Sequence, residues 1–191
     1  TDPPAVKNGI VEEGGKLWWY VDGVKTYGGL MYLDSDGDGE ADAYYYARTS
    51  GEIVCGRTYG VTKTNGLLSA ASYYFDEEGK LGEKNGFIAE DGGIYYYVDG
   101  ERTYAGLIYV NGNHYYVRTS GQVVTGQFYW TTKTNGLLPE GIYRFDENGK
   151  MIMTTAVVNE AGTLYYYENG MRKANAGIVK VDGDYYHVGG N

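Results

Sequence analysis

Short alternating runs dominate the chain. Apolar and aromatic residues recur every second position over four to six residues, and each run stops at a glycine-containing turn. LWWYVDG from Leu17, IYYYVDG from Ile94 and LYYYENG from Leu164 are three versions of one pattern. An apolar residue and three aromatics lead into Asp-Gly or Asn-Gly, and a basic residue follows at Lys25, Arg102 or Arg172. Alternation with period two predicts strands, and no stretch sustains the 3.6-residue period of an amphipathic helix. Asp22-Gly23, Asp99-Gly100 and Asn169-Gly170 suit two-residue type I′ loops, which need positive φ at both central positions. Asn111-Gly112 and Asp182-Gly183 repeat the device, and FDEEGK at Phe75 and FDENGK at Phe145 read as slightly longer hairpin loops.

These elements recur at long range. Asp22 and Asp99 are 77 residues apart, whereas Asp99 and Asn169, the two TKTNGLL words from Thr62 and Thr132, and the two RTSG words from Arg48 and Arg118 are all 70 apart. The seven extra residues of the first unit fall in DSDGDGEADA, from Asp34, where the second unit has only Asn111-Gly112-Asn113. A fixed period implies one supersecondary unit stacked on copies of itself. The expected organisation is an N-terminal extension 1–7, a unit 8–84 with the acidic insertion 34–42, a unit 85–154 and a partial third unit 155–191. The fold class is all-β, a repeat array (solenoid) of β-hairpins in one continuous body.

Within this frame, Tyr143-x-Phe145-Asp146-x-x-Gly149-Lys150-Met151, preceded by Gly126 and Trp130, resembles the cell-wall-binding repeats of Gram-positive bacterial surface proteins. Those are the choline-binding and glucan-binding repeats, with a G-x-W-Y-Y-F-D-x-x-G-x-M core. Tyr73-Tyr74-Phe75-Asp76-x-x-Gly79-Lys80-Leu81 matches as well. The resemblance implies a β-hairpin solenoid on a secreted protein at a bacterial surface. The chain departs from the family in its longer unit and in having only Trp18, Trp19 and Trp130 as tryptophans. Few tryptophans favour a neutral glycan, or no small ligand, over choline.

Composition narrows the partners. Sixteen Lys and Arg against 25 Asp and Glu give a net charge of −9, which argues against nucleic acid and anionic membranes. No run approaches the roughly 18 apolar residues that span a bilayer, so membrane insertion is not expected. The single cysteine, Cys55, rules out an internal disulfide, and the start at Thr1 reads as a piece of a longer protein.

Catalytic constellations are not evident. His114 and His187 are the only histidines, and they do not occupy matching repeat positions. Cys55 aligns with Thr125, and the acids sit mostly in turns. The reading is therefore not an enzyme.

The 23 tyrosines exceed what a chain of 191 residues hides easily. One face of each triplet strand is expected to build core and the other to stay accessible, since a tyrosine ring packs while its hydroxyl stays wet. Trp18, Tyr20, Tyr95, Tyr97, Tyr165 and Tyr167 are the candidate ligand-binding row. The expected function is a non-catalytic module attaching its parent protein to cell-wall polymer or glycan. A structural spacer or adhesin stalk is the alternative, and homo-association through the solenoid ends is left open. Lys25, Arg102 and Arg172 read either as solvated strand residues or as cations stacked on the aromatic ladder. Lys63 and Lys133 read as turn residues, with a ligand role as the alternative.

The acidic insertion carries the metal expectation. Asp34, Asp36, Asp38, Glu40 (through its carbonyl) and Asp42 follow the first nine positions of an EF-hand loop, with Gly39 allowing the turn. Position twelve would be Tyr45, not a bidentate Glu. A structural Ca²⁺ held at roughly 10⁻⁴–10⁻³ M is expected.

Overall fold

The computed structural model describes residues 5–190, so the first four residues of the expected N-terminal extension lie outside it. Among the described residues there are nineteen strands and no helix. The strands of the first half are β1 (Gly9–Glu13), β2 (Lys16–Val21), β3 (Val24–Lys25), β4 (Gly29–Leu33), β5 (Ala43–Ala47), β6 (Arg57–Val61) and β7 (Ala71–Phe75). They continue as β8 (Gly86–Glu90), β9 (Gly93–Val98), β10 (Glu101–Arg102), β11 (Gly106–Val110), β12 (Asn113–Val117), β13 (Phe128–Thr131) and β14 (Gly141–Arg144). The last five are β15 (Ala156–Glu160), β16 (Thr163–Glu168), β17 (Met171–Lys173), β18 (Gly177–Val181) and β19 (Asp184–Val188). The chain is all-β, a repeat array of antiparallel hairpins, as expected from its alternation and turns.

Two compact units form. One contains the residues up to 86 together with 97–102, and the other contains 87–96 together with 103 onward. The first holds β1-β2-β3, the hairpin β4-β5, and a sheet in which β6, β7 and β10 run beside Tyr97–Val98 of β9. The second holds the hairpins β11-β12 and β18-β19 and a five-stranded sheet in the order β13-β14-β17-β16-β15.

The turn residues do what their chemistry allows. Asp22, Asp99, Asn111, Asn169 and Asp182 have φ of 47–50°, and the glycine after each is also positive. The loops from Phe75 and Phe145 are Asx turns in which Asp76 Oδ1 accepts from the N–H groups of Glu78 and Lys80, and Asp146 Oδ1 from those of Asn148 and Lys150. TKTNGLL is a clamp. Asn65 Nδ2 donates to Gly28 O and Leu30 O, both at 2.8 Å, and Asn135 Nδ2 to Ala105 O and Leu107 O, both at 2.7 Å. Lys63 lies over the Tyr27 ring and Lys133 over Tyr104, at 4.3 and 4.1 Å. These lysines pack inside their own repeats.

Each unit has its own core, and five of the six positions correspond between them. Leu30, Tyr46, Val54, Val61, Tyr73 and Phe75 are buried together in the first, and Leu107, Tyr116, Val124, Tyr143, Phe145 and Met151 in the second. Burial of each such side chain contributes roughly 1.5–3 kcal/mol. Where the first core has Val61 the second has buried Thr131, whose hydroxyl donates to Gly141 O at 3.0 Å and so satisfies the polar atom. Smaller satellite cores form around Met31, Tyr45 and Ile53, and around Tyr115, Val117 and Val123.

Candidate binding faces

Tyrosines of the triplet strands are tied into a repeated network of an acid, a cation and two rings. In the first unit, Glu13 at the end of β1 accepts from Lys7, Lys25 and the Tyr20 hydroxyl at 2.6, 2.9 and 2.9 Å. These donors hold its carboxyl at about 2, the Lys7 bond contributing most. Lys25 lies 3.4 Å from the centre of the Trp18 ring. In the second unit, Glu160 pairs with Arg172 and accepts from the Tyr167 hydroxyl, while Arg172 stacks over Tyr165 at 3.8 Å. Burial, and next the bond to Glu160, pushes the Tyr167 phenol up to about 12. The residues after the turns are thus cations stacked on the aromatic ladder.

This network corrects the expected ligand row. Tyr20, Tyr97 and Tyr167 are 6%, 1% and 0% exposed, so their rings cannot meet a ligand. The reason is coverage by long side chains: Lys84 lies over Tyr97 at 5.0 Å, Arg144 over Tyr167 at 4.8 Å, and Arg102 and Arg172 bond the two hydroxyls. Trp18, Tyr95 and Tyr165, two residues earlier in each strand, are half-buried.

A different pair is open. On β13, Phe128 and Trp130 alternate on one face and are 49% and 61% exposed. Register places Phe128 opposite Arg144 and Trp130 opposite Ile142, and Arg172 reaches across to lie 4.6 Å from the Phe128 ring. Trp130, Phe128, Arg172 and Tyr165 therefore share one sheet face. Beside them is a groove of about 430 Å³ whose lining includes Phe128, Arg144, Val158 and Glu160. Arg144 Nε is buried there without a hydrogen-bond partner. In the first unit the counterparts of Phe128 and Trp130 are Thr58 and Gly60, and the Thr58 hydroxyl shares a 2.7 Å bond with that of Tyr97. Comparing the repeats position by position was the available signal for this pair.

In the acidic loop, Asp34, Asp36 and Asp38 offer carboxylate oxygens within 4.8 Å of one another, all exposed. Asp34 accepts from the N–H groups of Gly37, Gly39 and Asp36, which hold its carboxyl below the ordinary value, Gly37 contributing most. Asp42 turns instead to Ser35, accepting from its N–H and its hydroxyl at 2.8 Å each. The Glu40 N–H bonds Asp38.

Cys55 is half-buried, and burial, then Asp76 and Glu77, raises its thiol. His114 packs on Tyr109 at 4.7 Å with its imidazole pushed down by burial. No helix of the described residues is long and apolar enough to cross a membrane.

No family model and no curated protein matches the chain by sequence. Solved structures do. CbpF in complex with ipratropium is matched at a TM-score of 0.57 and 22% identity, over 96% of this chain and 72% of that one. The fold is that of a choline-binding protein. Choline binding protein F from Streptococcus pneumoniae is also matched with a peptidoglycan analogue present (a tetrasaccharide-pentapeptide), at 0.49 and 22% identity over 96% of this chain. The chain spans 56% of that protein's length. The choline-binding-protein fold is what the Tyr143–Met151 pattern resembled.

Proposed function

We propose that the chain is a non-catalytic binding module, displayed on a bacterial surface, that attaches its parent protein to wall polymer or glycan through the Phe128–Trp130 face. The observation that carries this reading is the exposed ring pair on β13, set beside Arg172 and Tyr165 above a groove. Exposed apolar rings stacked along one strand suit the flat faces of sugar rings, and guanidinium groups beside them supply donors for hydroxyls. The fold of choline-binding proteins supports a wall-binding setting. The local charge favours an uncharged or anionic polymer over a quaternary ammonium group: Arg172 is neutralised by Glu160, and the Arg144 Nε is buried without a hydrogen-bond partner.

The test is retention on purified cell walls and on a panel of polysaccharides. The Phe128→Ala and Trp130→Ala pair should lose retention with an unchanged circular dichroism spectrum. Undiminished retention of that variant would refute the face. The first unit, with Thr58 and Gly60 in place of the rings, favours a spacer role for that half. Absence of any retention by the wild type would extend that role to the whole chain.

The loop 34–42 is proposed to hold Ca²⁺ through Asp34, Asp36 and Asp38, the three carboxylates that already converge, with Glu40 and Asp42 outside the converging set.

A further inference from the structure

The groove beside Phe128 arises from substitutions between the repeats. In the first repeat the Tyr74 ring occupies the corresponding place. It lies so close to Gly82 that a Cβ there would be 2.9 Å from the ring, and Lys84 sits 4.2 Å from the ring's centre. Seventy residues later these three positions are Arg144, Ile152 and Thr154, and a groove of about 430 Å³ is open. All of its lining falls between residues 126 and 160, so the second repeat makes the opening with its own interior side chains.

The lining combines three kinds of surface. Phe128, Ile152 and Val158 supply apolar walls, with the Phe128 ring 49% exposed and the two aliphatic residues half-buried. Arg144 is half-buried with its guanidinium 4.8 Å from the centre of the Tyr167 ring. Its Nε is buried without a partner, so the terminal Nη groups are the donors it can offer to the groove. Glu147 is exposed at the rim, its carboxylate lying over Gly126, where a Cβ would be 2.7 Å from Oε2. The other acids of the lining are engaged: Asp146 Oδ1 accepts from the N–H groups of Asn148 and Lys150, and Glu160 is paired with Arg172. A cation with donors, an open acceptor and an apolar wall thus meet beside an exposed ring, the few polar groups in a mostly apolar site that fix a ligand's orientation.

We propose that this groove takes the acetamido group of an N-acetylated amino sugar whose ring stacks on Phe128. The proposal rests on the reading of the Phe128–Trp130 face as a glycan platform and names the sugar class it selects. The acetamido carbonyl accepts from Arg144, its N–H donates to Glu147, and its methyl packs against Ile152 and Val158. Other substituents match the lining less well. A carboxylate or phosphate would face Glu147 and Asp146, and a free amine or quaternary ammonium group would be set against Arg144. A bare hydroxyl would leave the aliphatic walls unfilled. Sites built to hydrogen-bond a substituent discriminate strongly against the analogue that lacks it, because their polar groups are then left unpaired.

The probes are three oligosaccharides of one length and linkage that differ at a single substituent: N-acetylchitopentaose, its fully de-N-acetylated form and cellopentaose. Each is titrated calorimetrically into the intact protein. The N-acetylated pentamer should bind at least tenfold more tightly than either of the others, and it should shift the Ile152 and Val158 methyl signals in nuclear magnetic resonance spectra. Arg144→Met keeps an unbranched side chain over Tyr167 and removes the donors. It should erase the preference for the acetylated pentamer and leave cellopentaose binding unchanged, a ratio that a merely structural role would not move. Equal or weaker binding of the acetylated pentamer, no binding of any pentamer at millimolar concentration, or a preference that persists in Arg144→Met would overturn the proposal. The first comparison varies only the ligand, so it does not depend on how a variant folds. Retention on purified walls, and its loss in the Phe128→Ala and Trp130→Ala pair, reads the platform separately, so failure of the sugar class and failure of the face are distinguishable.

Discussion

Asn135→Ala tests whether the repeated word TKTNGLL is a structural clamp. The Asn135 amide donates to two carbonyls of the preceding segment, at 2.7 Å each, and the residue sits at φ of 52°. Each hydrogen bond contributes about 1 kcal/mol net, so removing both costs about 2 kcal/mol. Alanine must also hold the left-handed conformation, which adds about 1 kcal/mol. The total is about 3 kcal/mol for Asn135→Ala, against about 2 kcal/mol for Asn135→Gly, which loses the bonds but is at ease at positive φ. Asn65 at φ of 52° makes the same two contacts at 2.8 Å, so Asn65→Ala should cost the same within its own repeat. Equilibrium urea unfolding followed by circular dichroism reads these differences. If Asn135→Ala stays within about 0.5 kcal/mol of wild type, the clamp is not what holds this loop, and if glycine harms as much as alanine, the left-handed conformation adds nothing.

Two titrations and one ion follow from the sites described. Glu13 has its carboxyl lowered from 4.5 to about 2, so its contribution to stability is present above pH 4.5 and is lost as pH falls toward 2. The Glu13→Gln variant should flatten that acid limb in thermal melts. Tyr167, raised from 10.0 to about 12, stabilises fully below pH 10 and loses that contribution as pH rises toward 12. Ultraviolet titration should show a last phenolate step that Tyr167→Phe removes, and an unchanged titration would contradict the Glu160–Arg172 network. Millimolar Ca²⁺ should raise the melting temperature in a manner reversed by EGTA and abolished by Asp34→Ala. A shift that persists in Asp34→Ala would place the ion elsewhere.

The turns and the period were legible because both depend on local chemistry. Asp-Gly and Asn-Gly fix the hairpins through φ alone, and identical words 70 residues apart report identical surroundings. Which ring is covered was not legible. Alternation says that Tyr165 and Tyr167 share a face of β16, but it does not say that Arg144 and Arg172 will lie over Tyr167. Those cations arrive from β14 and β17, and their reach is set by strand order in the sheet. Phe128 and Trp130 were readable in principle, since both replace small residues at otherwise matching positions. In the sequence Trp130 stands out only as part of the Gly126–Met151 repeat pattern.

The two repeats cover the same buried tyrosine by different routes, and this difference explains where the open face lies. Over Tyr97 lie Lys84, which is also 4.2 Å from the Tyr74 ring, and Arg102, which bonds the hydroxyl as Arg172 does at Tyr167. Thr58 adds a bond to that hydroxyl from β6. Seventy residues later, position 84 has become Thr154 and position 74 has become Arg144. The cation over Tyr167 therefore comes from within the sheet, and the hydroxyl is held by Glu160 and Arg172 without help from β13. That releases the position occupied by Thr58 in the first unit from its duty to the core. Phe128 stands there, stacked on Arg172 and half in solvent, with Trp130 beside it on the same strand. A ring that is not needed to close the core can remain exposed without loss of stability, and an exposed apolar pair on a soluble surface is retained at a cost in solubility unless something binds it. The proposed binding face thus sits in the unit where a covering cation moved from a loop to a strand.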